Sequence, residues 1–230
     1  MNQILRLPAD ERGQVFAEAG AMLGLPAFYV EKDFWVCWAL EVLFKNERIG
    51  EHLTFRGGTS LSKGWGLIDR FSEDIDLGIS RQWVAPELPD IEEQSISKAK
   101  RHSLLKRLRS ACREAVREEV FPLLDAEADK LGYGAQARLV EIDQARDPFI
   151  IEFEYPRVDL EMTGDYHRHL LKIEFSGRAD SWPQADRPIG PYVADVFPML
   201  GPWHALEIAC VTPARTFWEK ASLLHEKHVQ

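Results

Sequence analysis

Between Leu53 and Ile79 the chain changes texture twice. A short strand, Leu53-Thr54-Phe55-Arg56, breaks into Gly57-Gly58, passes through Thr59 into a brief helix over Ser60 to Trp65, and returns as a second strand. In that second strand Ile75, Leu77 and Ile79 alternate with Asp74, Asp76 and Gly78, the period of a strand with one face buried. A glycine pair at a strand end is by itself a turn, and a lone D-x-D is common on strands. The two joined by a short helix form a unit with chemical meaning.

On a strand, residues i and i+2 leave the same face with their Cα atoms roughly 7 Å apart. Asp74 and Asp76 therefore converge on one side, while Ile75 and Leu77 anchor the strand in the core. Two like charges side by side are unfavourable without a cation, and carboxylates so spaced suit divalent ions that assist in-line phosphoryl displacement. The Gly57-Gly58-Thr59-Ser60 turn supplies the complementary half. Its glycines permit close backbone approach and positive φ, the following helix offers free N–H groups, and the Thr59 and Ser60 hydroxyls add donors. Lys63, on the first turn of that helix, adds a positive charge. A phosphate cradle beside a carboxylate pair predicts a nucleotide–metal site.

The rest of the chain reads as a mixed α+β domain. Helices are expected over 8–24 and from Pro26 to Phe44, followed after the central unit by a proline-bearing loop over 83–97. A long helix from Ser97 to Leu131 is expected to kink at Pro122. Short strands follow over Arg138–Ile142, Phe149–Tyr155, Arg168–Phe175 and His204–Val211; residues 176–202, with five prolines, carry few regular signals. Thr212 and Pro213 then open a closing helix with Phe217, Trp218, Ala221 and Leu224 on its apolar side. Trp35, Trp38, Trp65 and Trp218 are expected in the core. The organisation expected is a helical segment over 1–50, a core over 51–211 and the start of a helical region over 212–230.

At 230 residues the chain is long enough for a sizeable core. No apolar run approaches the roughly 20 residues of a membrane span. Cys37, Cys112 and Cys210 match no zinc or redox spacing; with no signal-peptide pattern at the N-terminus, this predicts a cytoplasmic protein. The formal net charge of −9 argues against a general nucleic-acid-binding surface. Charge is nonetheless polarised, because between Lys98 and Arg117 eight bases face the single acid Glu114. Lys106, Arg109, Arg113 and Arg117 share one side of the long helix, a face that is either solvated or holds an RNA backbone. His167, His169, His225 and His228 read as surface histidines.

The segments Phe55-Arg56-Gly57-Gly58-Thr59-Ser60-Leu61-Ser62-Lys63 and Arg70-Phe71-Ser72-Glu73-Asp74-Ile75-Asp76-Leu77 resemble the signature of the AbiEii/AbiGii family. These are nucleotidyltransferase-like toxins of type IV-like toxin–antitoxin and abortive-infection systems. Glu31-Lys32-Asp33-Phe34-Trp35-Val36 resembles the family's N-terminal helix, and Thr212 to His228, around Phe217-Trp218-Glu219-Lys220, its lysine-bearing helix. The resemblance implies a DNA polymerase β-like nucleotidyltransferase fold with a mixed sheet. It implies that the turn holds a nucleoside triphosphate (NTP) and that Asp74 and Asp76 bind Mg²⁺ or Mn²⁺. It further implies a third carboxylate from a neighbouring strand, with Glu174 the first candidate and Glu152, Glu154, Asp159 and Glu161 its competitors. Lys220 corresponds to the family's active-site lysine, against the alternative of a solvated lysine on an amphipathic helix. Family members continue past that lysine into an Arg…Tyr-Asp element, so a shortened chain is expected.

Two functions of different class follow. One is transfer of a nucleoside monophosphate from an NTP to an acceptor hydroxyl, possible acceptors including the 3′ end of tRNA, by a toxin with a cognate antitoxin. The other is a nucleotide-binding or partner-binding module without catalysis.

Overall fold

The computed structural model describes residues 2–68, 74–89, 91, 95–132, 134–140, 149–156, 158, 169–177, 181–201, 203 and 205–229. Three helices come first: α1 (Asn2–Arg6), α2 (Ala9–Leu23) and α3 (Ala27–Phe44). Pro8 and Pro26 stand immediately before α2 and α3, where a missing N–H and a fixed φ do no harm. Gly24 closes α2 in the left-handed conformation. Next come β1 (Leu53–Arg56), α4 (Gly57–Lys63), β2 (Asp74–Ile79) and α5 (Arg81–Val84). The long helical stretch is α6 (Lys98–Ala115) and α7 (Phe121–Leu131), joined by a π-helical turn over Val116–Val120. The remaining elements are β3 (Gln136–Val140), β4 (Phe149–Glu154), β5 (Leu170–Ser176), β6 (Gln184–Ile189), α8 (Val193–Val196), β7 (Leu206–Val211) and α9 (Pro213–Val229).

The strands form a mixed seven-stranded sheet in the order β3-β4-β5-β2-β1-β7-β6. Its centre is antiparallel between β1 and β2 and parallel between β2 and β5. One face packs on α3, whose Trp35 stacks on Tyr155 and whose Trp38 stacks on Phe153. Leu171, Ile173 and Phe175 alternate into that core, as do Ile75, Leu77 and Ile79, so Lys172, Glu174, Asp74 and Asp76 leave β5 and β2 on the opposite face. A single hydrophobic cluster runs from the N-terminal helices through the sheet. Among the described residues no helix is long and apolar enough to cross a membrane.

Several expectations need correction. Residues 176–202 contain a strand, β6, which lies at the sheet edge, where Pro188 and the polar Gln184, Asp186 and Arg187 are tolerated. Pro122 produces no break in backbone angles: Val116, Val120 and Phe121 all remain right-handed helical, and the π turn just before the proline relaxes the ladder it would otherwise interrupt. Among the described residues the Thr212 hydroxyl finds no hydrogen-bond partner, although the Thr212 carbonyl accepts from the Thr216 amide at 3.1 Å. Trp218 is 66% exposed, with Phe217 and Leu224 beside it in solvent rather than in the core.

Beneath the sheet lies a polar cluster that no periodicity announced. Glu31 on α3 is fully buried, with buried Arg12 near and the His169 imidazole 3.7 Å from its Oε2. Among the described residues, no hydrogen bond of ordinary geometry reaches either carboxyl oxygen. Burial pushes its pKa up to about 8; the Val158 backbone, Arg12 and the Trp35 indole pull it back only in part. His169, expected at the surface, belongs to this interior.

Candidate active site

The site grows out of the sheet register. Arg56 stands opposite Asp76 across β1 and β2, and Asp76 opposite Glu174 across β2 and β5. One residue pair further along the same face, Asp74 stands opposite Lys172. Neighbouring strands lie about 4.8 Å apart, so three carboxylates and one ammonium occupy adjacent corners of a small patch.

Gly57 closes this patch. Its φ is +73°, and a Cβ there would lie 1.8 Å from Asp76 Oδ2 and 2.6 Å from Cγ. Only a residue without a side chain lets the turn pass this close to the carboxylate. Asp76 is pushed up to about 6, first by burial, then by the charges of Glu174 and Asp74, while Lys220 and Arg56 pull it back. The carboxyl thus sits in a cluster with surplus negative charge.

That surplus and the hard-oxygen donors fit Mg²⁺ or Mn²⁺. Among the described residues, no three His, Cys, Asp or Glu side chains are grouped as a ready cage. The Glu174 carboxylate contacts the Lys172 ammonium through Oε1, which engages one of its two oxygens. Mg²⁺ is ordinarily held by one or two carboxylates together with substrate phosphates, so Asp74 and Asp76 alone satisfy the protein's share.

The turn itself differs from expectation. Its helix starts at Gly57, three residues before the expected Ser60, and this rotates the hydroxyls inward. Thr59 and Ser60 are buried; Thr59 Oγ1 donates to the Asp74 carbonyl at 2.5 Å and Ser60 Oγ to the Gly57 carbonyl at 3.1 Å. The Thr59 hydroxyl braces the turn against β2, and the Ser60 hydroxyl closes the turn on its own first residue. Lys63 is also redirected: its ammonium donates to Asp33 Oδ1 and lies 4.0 Å from the Tyr192 ring centroid. Asp33 is fully buried and its other oxygen accepts from the Tyr192 amide at 2.7 Å. Lys63 is thus an internal strut between α4 and α3. Of the four turn residues Gly57 is half-buried, and Gly58 is buried with Thr59 and Ser60.

Lys220 is exposed on α9, near enough for its charge to be felt at Asp76. Its neighbour Glu219 accepts from Arg56 Nη2 at 2.7 Å and from Arg215 Nε at 3.0 Å. Arg56, Glu219 and Lys172 were not anticipated as members of the site. The signal for Lys172 was present, since Lys172-x-Glu174 repeats the i, i+2 spacing of Asp74-x-Asp76; Arg56 and Glu219 needed the tertiary fold. Among the competitors for the third carboxylate, Glu152 lies one strand further out, paired with Arg138 at 3.1 Å, and Glu154 is exposed at the strand end. Asp159 and Glu161, and the motif residues Arg70 to Glu73, lie outside the described residues. On α6, Lys106 is exposed, Arg109 is half-buried, and Arg113 lies over the Phe149 ring at 5.2 Å; Arg117, in the π-helical turn that follows, is exposed.

A search of curated proteins finds no match. Among solved structures, the chain is similar to MenT4, a nucleotidyltransferase toxin from Mycobacterium tuberculosis H37Rv, at 16% identity and a TM-score of 0.47. That similarity covers 90% of this chain and 57% of MenT4. The family model described as nucleotidyl transferase AbiEii toxin, type IV TA system, matches residues 38–230. That span contains the Gly57 turn, Asp74, Asp76, Glu174 and Lys220, and the chain belongs to the AbiEii nucleotidyl transferase toxin family.

Proposed function

We propose that this chain transfers a nucleoside monophosphate from an NTP to an acceptor hydroxyl and acts as the toxin of a toxin–antitoxin or abortive-infection pair. The observation that carries this is the register of Asp74 and Asp76 against Glu174, with Gly57 seated on the Asp76 carboxylate. The acceptor oxygen bonds to the α-phosphorus, the bond from that phosphorus to the bridging oxygen breaks, and pyrophosphate leaves with the electron pair. Asp74 and Asp76 would hold Mg²⁺ or Mn²⁺, which when bound neutralises phosphate charge and acidifies the acceptor hydroxyl. Glu174 completes the oxygen set or takes the acceptor's proton. The Gly57-Gly58 backbone lies against the phosphates, Thr59 and Ser60 keep that backbone in place, and Lys220 supplies positive charge toward the pyrophosphate.

The acceptor is RNA, the 3′ end of tRNA being one form of it. Support comes from Lys106, Arg109 and Arg113 on α6 and Arg117 in the π-helical turn after it; Cys112 of α6 packs at Gly177, just past the C-terminal end of β5. Strand rise puts that end of the sheet on the order of 10 Å from Asp76, a distance one polynucleotide spans. A cytoplasmic location and a cognate antitoxin complete the proposal.

Labelled NTPs, Mg²⁺ and total RNA provide the test: labelled RNA is expected, and Asp74→Ala with Asp76→Ala abolishes it. Replacing Lys106, Arg109, Arg113 and Arg117 by glutamine should weaken RNA binding and flatten its salt dependence. Nucleotide binding without transfer would instead favour a binding module, and absence of Mg²⁺–NTP binding would overturn both.

A further inference from the structure

Four side chains face one another across β2 and β5: Asp74 opposite Lys172 and Asp76 opposite Glu174. Three are carboxylates and one is an ammonium, so the square carries a formal charge of −2 where an all-acid cluster of the other three would carry −3. Lys172 contacts Glu174 Oε1, and Glu174, Asp74 and Asp76 all stabilise its charged form. On its other side Lys172 stands opposite Glu152, but that carboxylate is engaged by Arg138 at 3.1 Å. Among the described residues, Arg56 and Lys220 also act on Asp76 with positive charge, and Arg56 is itself bound to Glu219. Lys172 is therefore the cation that the structure commits to Glu174. Its side chain is 41% exposed against 19% for Glu174, so it stands at the mouth of the patch with the carboxylate behind it.

We propose that Lys172 is the resident counter-cation of the carboxylate cluster, holding Glu174 away from a divalent ion and setting how tightly the cluster takes that ion without nucleotide. The inference rests on the reading above that Asp74, Asp76 and Glu174 form the metal site. A surface ion pair is ordinarily of little consequence. This one differs because both of its members face β2 carboxylates. An incoming divalent ion meets a fixed positive charge and a third carboxylate already occupied. Even at the dielectric constant of water, a unit positive charge about 6 Å from a divalent ion weakens its binding roughly tenfold.

Mn²⁺ binding to the full chain, followed by electron paramagnetic resonance at low ionic strength without nucleotide, tests this. Lys172→Met should bind Mn²⁺ at least about tenfold more tightly than the natural chain, and Lys172→Arg should bind like the natural chain. If Lys172→Met does not fold by circular dichroism, Lys172→Gln carries the same expectation. The gain should shrink when Lys172→Met is combined with Glu174→Gln, because the carboxylate it releases is then gone. Mn²⁺ affinity in Lys172→Met that is unchanged or weaker overturns the role of Lys172 while leaving the metal site in place. Absence of Mn²⁺ binding to the natural chain and every variant overturns the metal reading itself.

Discussion

Substituting Gly57 by alanine places a methyl carbon where the Asp76 carboxylate already stands. The new Cβ would lie 1.8 Å from Oδ2, 2.6 Å from Cγ and 3.0 Å from the Asp76 Cβ. Ordinary contact needs about 3.5 Å, so the carboxylate or the turn must retreat by roughly 1.7 Å. Asp76 cannot back into the sheet, because Arg56 and Glu174 flank it on the adjacent strands. The residue also sits at φ +73°, where an L side chain costs about 1–2 kcal/mol. Overpacking adds about 1–3 kcal/mol, so the total loss of stability should be roughly 2–5 kcal/mol. A displacement above 1 Å at reacting geometry lowers the rate on the order of 100-fold. Gly66→Ala is the matched control: φ is +60° there, yet nothing lies within 4 Å of the added carbon. It should show the backbone cost alone, with transfer intact. Urea unfolding and labelled-nucleotide transfer, measured on both variants, separate the two effects. Transfer by Gly57→Ala close to that of the natural chain would refute the argument, as would an equal loss of transfer in Gly66→Ala.

Lys63→Met should leave the Asp33 carboxylate buried and unpaired, lowering stability by about 3–5 kcal/mol in a denaturant titration. Adding Asp33→Asn to it should recover much of the loss. Glu31, held at about 8 in the folded chain against an ordinary 4.5, gives an unusual pH slope. The folded state binds more protons than the unfolded one between those values, so stability falls as pH rises through that window and levels above it. The fall is on the order of 5 kcal/mol. Urea midpoints from pH 5 to 9 should show it, and Glu31→Gln should flatten it. Glu219→Ala should release α9 from Arg56 and lower transfer roughly tenfold or more, as expected for loss of hydrogen bonds to a charged group. Its circular dichroism should stay unchanged, and a full rate in this variant would show that Lys220 does not depend on that tether.

The central unit was legible because its physics is local. Alternation in Asp74–Ile79 set which side chains meet, and the same alternation in Leu171–Phe175 singled out Glu174, which the register then places opposite Asp76. What escaped was set by small shifts or distant partners. An earlier helix start at Gly57 reversed the direction of the Thr59 and Ser60 hydroxyls, which periodicity cannot detect. Lys63 found a buried carboxylate thirty residues upstream. β6 was hidden by its proline, a residue that weighs against a central strand but not against an edge. Trp218 satisfied a helical pattern whose apolar side faces solvent, so hydrophobicity alone misplaced it.

The parallel pairing of β2 with β5 also fixes when the cluster can exist during synthesis. Gly57, Asp74 and Asp76 come together within one short stretch of chain, but Glu174 follows Asp76 by roughly a hundred residues and Lys220 by about 140. At about 5–20 residues per second, Lys220 is added roughly 7–30 seconds after Asp76. A half-made chain on the ribosome therefore carries the aspartate pair and the glycine turn with neither the third carboxylate nor the lysine. Whatever the finished cluster does begins only once Glu174 and Lys220 have both been added.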